Sequence, residues 1–153
     1  MMPRIRILFV CVENSNRSQM AEAFARLYGG EHVEAHSAGS RPSGRINPQA
    51  IAAMAELGYD LSRHQSKGLE QYNGQSVDVA VTMGCGDACP LVQAQRRYDW
   101  SIPDPRDLPP DQFRQVRDLI AQKVLALLRE LGVPVKDHTC ATTWTRTPPT
   151  PLD

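Results

Sequence analysis

Ile5-Arg6-Ile7-Leu8-Phe9-Val10-Cys11-Val12-Glu13-Asn14-Ser15-Asn16-Arg17-Ser18 is the stretch that decides the fold. Ile5 to Val10 is short, apolar and partly β-branched, the pattern of a strand buried on both faces. From Ser18 to Tyr28 the apolar residues Met20, Ala23, Phe24 and Leu27 recur at helical spacing, and Gly29-Gly30 ends the run. A strand, a tight loop and a helix in that order open a β-α-β unit.

The pattern repeats outward. Val33 to Ser37 alternates as a second strand, and Ala38 to Asn47, rich in Gly, Ser, Arg and Pro, reads as a loop. Pro48 suits the first turn of a helix over Pro48 to Leu57, with Asn47 as its N-cap and Gly58 as its stop. Ser62 reads as the cap of a short turn. Val77 to Met83 is apolar enough for a third buried strand, followed by a loop over Gly84 to Pro90. A short extended piece covers Tyr98 to Ile102, with Tyr98 and Trp100 as packing residues. A long helix from Asp111 to Leu131 carries the stripe Phe113, Val116, Leu119, Ile120, Val124, Leu127, Leu128 and Leu131. Strands alternating with helices predict an α/β fold with a doubly wound parallel sheet. Residues 1–133 form the expected domain. Residues 134–153, rich in Pro and Thr, read as an extended tail packed through Trp144.

Composition narrows the function. The chain has 153 residues, enough for one domain with its own core. Lys plus Arg is 17 and Asp plus Glu is 17, so there is no excess of positive charge for general nucleic-acid binding. No apolar run approaches the roughly 20 residues of a membrane helix, and the N-terminus lacks the apolar core of a signal peptide. The expected location is the cytoplasm, where four cysteines point to catalysis or metal binding rather than structural disulfides.

The junction Cys11-x5-Arg17-Ser18 carries the chemistry. A loop between a strand end and a helix N-terminus turns successive backbone N–H groups inward, and the helix dipole adds positive potential. The main chain of Val12, Glu13, Asn14, Ser15, Asn16, Arg17 and Ser18 is therefore a candidate oxyanion receptor. Arg17 adds a planar two-pronged donor. Cys11 lies at the base of the same field, which favours a nucleophilic thiolate, and Ser18 can donate a hydrogen bond to it. Asn14 suits a left-handed backbone position. Without glycine, this is neither a Rossmann fingerprint nor a Walker loop. Alone, Cys11 or Arg17 would read as an ordinary core cysteine or surface charge; the whole string in its strand–loop–helix context does not.

These residues resemble a known family. Ile7-Leu8-Phe9-Val10-Cys11 with Asn14-Ser15-x-Arg17-Ser18-Gln19-Met20-Ala21-Glu22 is similar to the arsenate reductases built on the low-molecular-weight tyrosine phosphatase fold. The likeness continues through Ser37-Ala38-Gly39, Asn47-Pro48-x-Ala50, Val81-Thr82-Met83, Cys85-Gly86-Asp87-Ala88-Cys89-Pro90 and Asp104-Pro105. It implies a flavodoxin-like three-layer sandwich around a four-stranded parallel sheet. It also implies reduction of arsenate to arsenite, with phosphate or sulfate as competing oxyanions and no cofactor.

The resemblance implies roles by position. Cys11 is the nucleophile, Cys85 the second thiol that attacks it, and Cys89 the resolving thiol that passes the disulfide to an external reductant. The Cys-Gly-Asp-Ala-Cys spacing is tighter than the best-known thioredoxin-coupled pattern, so the order of Cys85 and Cys89 stays open. Thioredoxin is the first expectation for the reductant, with glutathione or mycothiol as alternatives. Asp104, before Pro105, takes the place of the family's general acid, and proline restricts it to extended geometry.

Some relatives bind potassium beside the loop. The matching positions here are Asn14, Glu22, Ser37 and Lys67, and the lysine ammonium stands where an acidic ligand is usual. Lys67 is expected to pair with Glu22 and replace the cation, so no metal is expected. Glu13 occupies a frequent glycine position and is expected to face solvent. Asn16 replaces a frequent cysteine. His32, His36, His64 and His138 show no site-like spacing.

Two rivals stand beside this reading. A low-molecular-weight phosphotyrosine phosphatase commonly has an aromatic residue after Asp-Pro, where Arg106 and Asp107 follow here, and it needs no cysteine pair. A zinc-binding or oxyanion-sensing module would use Cys85 and Cys89 with His138 and Cys140, at spacings typical of neither a knuckle nor a ribbon.

Overall fold

The computed structural model describes residues 4–68, 72, 75–83 and 93–135. The expected loop over Gly84 to Pro90, Cys85, Cys89, His138, Cys140 and nearly all of the expected tail, Trp144 included, lie outside the described residues.

Four strands, β1 (Ile5–Cys11), β2 (Val33–Gly39), β3 (Ser76–Thr82) and β4 (Gln93–Asp99), form one parallel sheet in the order β2-β1-β3-β4. The helices are α1 (Arg17–Gly29), α2 (Pro48–Ala55) and α3 (Pro110–Glu130). Among the described residues, no helix is long and apolar enough to cross a membrane.

Alternation along β1 sorts the core. Ile7, Phe9 and Cys11 face a cluster built with Met20, Phe24, Met54, Phe113, Ile120, Val124 and Leu128. Leu8 and Val10 face the other side, where Ala38, Val77, Ala80 and Tyr72 pack. Both faces of β1 are therefore buried, as its unbroken apolar run requires. Full burial of Phe9, Phe24 and Phe113 contributes about 1.5–3 kcal/mol each. Glu56, just past α2, ties α2 to α3: its carboxylate takes Arg114 from two sides and Arg117 at 2.7 Å. These guanidiniums, Arg114 foremost, hold the Glu56 carboxyl below its ordinary range.

Two expected elements change. The piece expected over Tyr98 to Ile102 is strand β4, which begins earlier and ends at Asp99. Among the described residues it is an edge strand, paired to β3 alone. Main-chain pairing creates it, so its polar stretch Gln95-Arg96-Arg97 gave no apolar signal. The turn at Leu61–Arg63 is capped by Asp60, whose Oδ1 accepts from the Ser62 amide, and not by Ser62. The Asn47 cap on α2 forms as expected, accepting from the Gln49 amide at 2.9 Å.

Strand order reverses between β1 and β3. In open parallel sheets the crevice beyond the carboxyl ends at such a point holds ligands. The loop from Cys11 to Arg17 lies there.

Candidate oxyanion site

The main chain of this loop is sorted by direction. The Cys11 carbonyl accepts from the Ser40 amide, Val12 from Arg41, Glu13 from Ser43 and Ser15 from Asn47, at 2.8–3.2 Å. The Asn14 carbonyl accepts from Gln19 Nε2 at 3.1 Å and the Asn16 carbonyl from the Met20 amide at 2.9 Å. Every carbonyl from Cys11 to Asn16 is thus engaged. Among the described residues, the amides of Val12 to Arg17 have no protein partner. Asn14 sits at φ 53°, the one left-handed non-glycine residue among those described, and lets the loop curl. At the start of α1 no side chain caps the helix and no acidic residue occupies the first turn. Its free N–H groups and the loop amides form the concavity that binds tetrahedral anions.

Gly39 at the end of β2 seals this arrangement from below. A Cβ there would lie 2.5 Å from the Val12 carbonyl oxygen and 2.9 Å from the Asn14 nitrogen. Only glycine lets the strand and the loop approach so closely.

Cys11 is buried, with its Sγ 2.9 Å from Ser18 Oγ. Ser18 Oγ already accepts from Asn14 Nδ2 at 2.7 Å, which leaves the serine proton for the sulfur. The chain of bonds continues outward. Gln19 Nε2 donates to Asn14 Oδ1 at 2.8 Å, so Gln19 Oε1 accepts from His64 Nδ1 at 2.9 Å. That assigns the neutral tautomer with its proton on Nδ1, and His64 Nε2 then accepts from the Tyr59 hydroxyl at 2.6 Å. Burial pushes His64 below its ordinary pKa, against the pull of Glu22, which favours this neutral form. Each donor from Tyr59 to Ser18 therefore points toward Cys11. His64 and Tyr59 escaped the sequence reading because no spacing joins them to the loop.

Arg17 is almost covered. Its Nη1 donates to the Ile102 carbonyl at 3.0 Å, and its Nη2 lies 3.9 Å from Asp104 Oδ2. The candidate acid therefore stands beside the oxyanion loop. Its side chain is 46% exposed, and Oδ1 accepts from the Arg106 amide at 3.1 Å. Glu13 is partly exposed, as expected, but it is paired: Arg106 Nη1 meets it at 2.5 Å. Asn16 Oδ1 is the buried side-chain oxygen without a partner among the described residues.

The cation position departs from expectation. Glu22 is buried and pairs with Arg26 Nη2 at 2.6 Å while accepting from Ser37 Oγ at 2.6 Å. Lys67 does not make the expected pair. It acts through its main chain, donating its amide to Asn14 Oδ1 at 2.7 Å and accepting from the Gly39 amide at 2.8 Å. Arg26 lies one turn beyond Glu22 on α1 and reaches it directly. With a guanidinium on the only carboxylate of the set, these residues do not suit a potassium ion. Among the described residues no cluster of His, Cys, Asp and Glu could hold a metal.

A cysteine beneath an inward ring of amides, with an arginine and a carboxyl group at the mouth, defines an oxyanion-handling site of the cysteine-phosphatase class. The chain belongs to the low molecular weight phosphotyrosine protein phosphatase family, which it matches over residues 6–137. Relatives within that family carry the name arsenate reductase. It is 36% identical over 130 residues to the "Glutaredoxin arsenate reductase" of Synechocystis, covering 83% of this chain and 98% of the relative. It is 38% identical over 127 residues to "Arsenate reductase 2" of Staphylococcus saprophyticus, covering 80% and 95%. Among solved structures it resembles an arsenate reductase in the phosphate binding state, with a TM-score of 0.76, 36% identity and coverage of 82% and 98%. A thioredoxin-dependent arsenate reductase of Corynebacterium glutamicum follows at a TM-score of 0.69 and 30% identity, covering 85% of this chain and 63% of that one.

Proposed function

We propose that this chain reduces arsenate to arsenite through a cysteine relay. The observation that carries the reading is the loop whose carbonyls from Cys11 to Asn16 are all engaged and whose amides from Val12 to Arg17 have no partner among the described residues. The free amides and Arg17 hold the oxyanion. The Cys11 thiolate attacks arsenic, an S–As bond forms, and one arsenate oxygen leaves as water with a proton from Asp104. A second thiolate, assigned to Cys85, attacks Cys11 Sγ. The S–S bond forms, the S–As pair stays on arsenic, and arsenite departs two electrons richer. Cys89 then attacks this disulfide, frees Cys11 and moves the oxidised pair to Cys85 and Cys89, where an external dithiol reduces it.

The names of the relatives support this chemistry over ester hydrolysis, and so does a cysteine pair that a phosphatase does not need. For the reductant, thioredoxin comes first, because the similar arsenate reductase of Corynebacterium glutamicum is thioredoxin-dependent. The name of the Synechocystis relative supports a glutaredoxin arm. Dependence on such thiols fits the cytoplasm. Residues 1–133 are the catalytic domain of this reading and 134–153 an accessory tail.

Steady-state arsenate reduction with thioredoxin, glutaredoxin and mycothiol systems, compared side by side, tests it. Cys11→Ser and Cys85→Ser abolish turnover, Cys89→Ser loses most of it and Cys140→Ser changes little. A fully active Cys85→Ser enzyme would move the second attack to an external thiol. Turnover is the same in sodium and potassium buffers; a strong potassium preference would contradict the Arg26 reading.

A further inference from the structure

We propose that the Glu13–Arg106 ion pair is the specificity element of this site, closing its leaving-group side so that a bare tetrahedral oxyanion enters and an ester with a bulky group does not. The inference rests on the oxyanion-site reading above. Glu13 belongs to the amide loop and Arg106 to the segment that carries Asp104, so the pair joins the two rims of the pocket. The same rims meet again at the Arg17 bond to the Ile102 carbonyl and at the Arg17–Asp104 approach. The Arg106 amide bonds Asp104 Oδ1, which fixes the guanidinium and the acid on one turn.

In-line displacement places the departing group opposite Cys11, on the side where Asp104 delivers its proton. For arsenate that group is a single oxygen. For a phosphate ester it is an oxygen bearing carbon, which must pass through the space the ion pair spans. Charge works in the same place. Glu13 alone would repel an incoming anion, and Arg106 cancels that repulsion while paired. Both side chains are partly exposed, 37% for Glu13 and 52% for Arg106, so the pair is a screen of modest strength. It discriminates by up to about fivefold.

Calorimetric titration with inorganic phosphate and with phenylphosphonate tests this on the full chain and on E13Q, R106A and the double variant. R106A weakens phosphate several-fold, because Glu13 is left uncompensated. E13Q tightens phosphate. The double variant returns phosphate to near the parent value and cuts the preference for phosphate over phenylphosphonate by about fivefold. An unchanged preference in the double variant overturns the proposal. So do single variants that shift phosphate in the same direction, as a merely structural role would give. Arsenate turnover run in parallel separates the two readings: a shifted preference in a chain that does not reduce arsenate leaves the screen standing and removes the reductase assignment.

Discussion

The two rims of the oxyanion pocket are built in opposite ways. The amide loop is buried from Asn14 onward, with Asn14 and Ser18 fully covered and every carbonyl from Cys11 to Asn16 bonded. The facing segment from Ile102 to Arg106 leaves Asp104 half in water, held by one arginine contact and one turn. A receptor for developing charge works best when its donors are aimed before the anion arrives, since nothing then reorganises during the reaction. A proton donor must recover its proton after each turnover, and contact with solvent provides it. With Asp104 in the proposed role of proton donor, the difference in burial is a division of labour.

Four changes probe that contrast. Gly39→Ala has the largest effect. Its Cβ meets the Val12 carbonyl oxygen at 2.5 Å, so the loop must shift. Stability falls by about 1–3 kcal/mol, and calorimetry finds phosphate binding lost while circular dichroism still reports a folded chain. Parent-like affinity would mean that the loop is soft. Asp104→Asn comes next: arsenate turnover drops by about a hundredfold while phosphate affinity is kept. A parallel loss of affinity would make Asp104 part of the receptor. Ser18→Ala removes the donor to Cys11 and leaves Asn14 Nδ2 unsatisfied. Turnover falls by about tenfold, the scale of a lost buried hydrogen bond, with the melting temperature as the control for structure.

The smallest effect concerns pH. Burial lowers the His64 pKa from its ordinary 6.5. Below that value the unfolded chain takes up the proton first, so this contribution to stability is complete above about pH 6.5 and declines as pH falls toward the lowered native value. Urea titrations from pH 7 to 5 on His64→Gln show a shallower decline than the parent. An equal slope would mean that His64 titrates alike in both states.

The oxyanion loop could be read in the sequence because it is contiguous. Strand, nucleophile, amides, arginine and helix start all fall between Ile5 and Ser18, and the local order already dictates the geometry. Asn14 at positive φ and Asn47 as a cap follow from single-residue chemistry. What escaped was assembled across the chain. Tyr59 and His64 join the loop only through Gln19, and Arg26 displaced Lys67 as the partner of Glu22. Strand β4 was partly hidden because edge pairing needs no apolar side chains. Gly39 was quoted within a motif, but its reason, a carbonyl and an amide at its back, is visible only in three dimensions.

The segment from Ser40 to Asn47 supplies the donors that turn four of the loop carbonyls outward. A chain in which β2 has not yet docked beside β1 therefore has no anion trap, however well α1 has formed. As the proposed oxyanion site, the loop offers phosphate a target only in the folded chain, so millimolar phosphate is expected to shield that chain against heat and proteases. In cells, the competitor that slows its catalysis would also prolong its life.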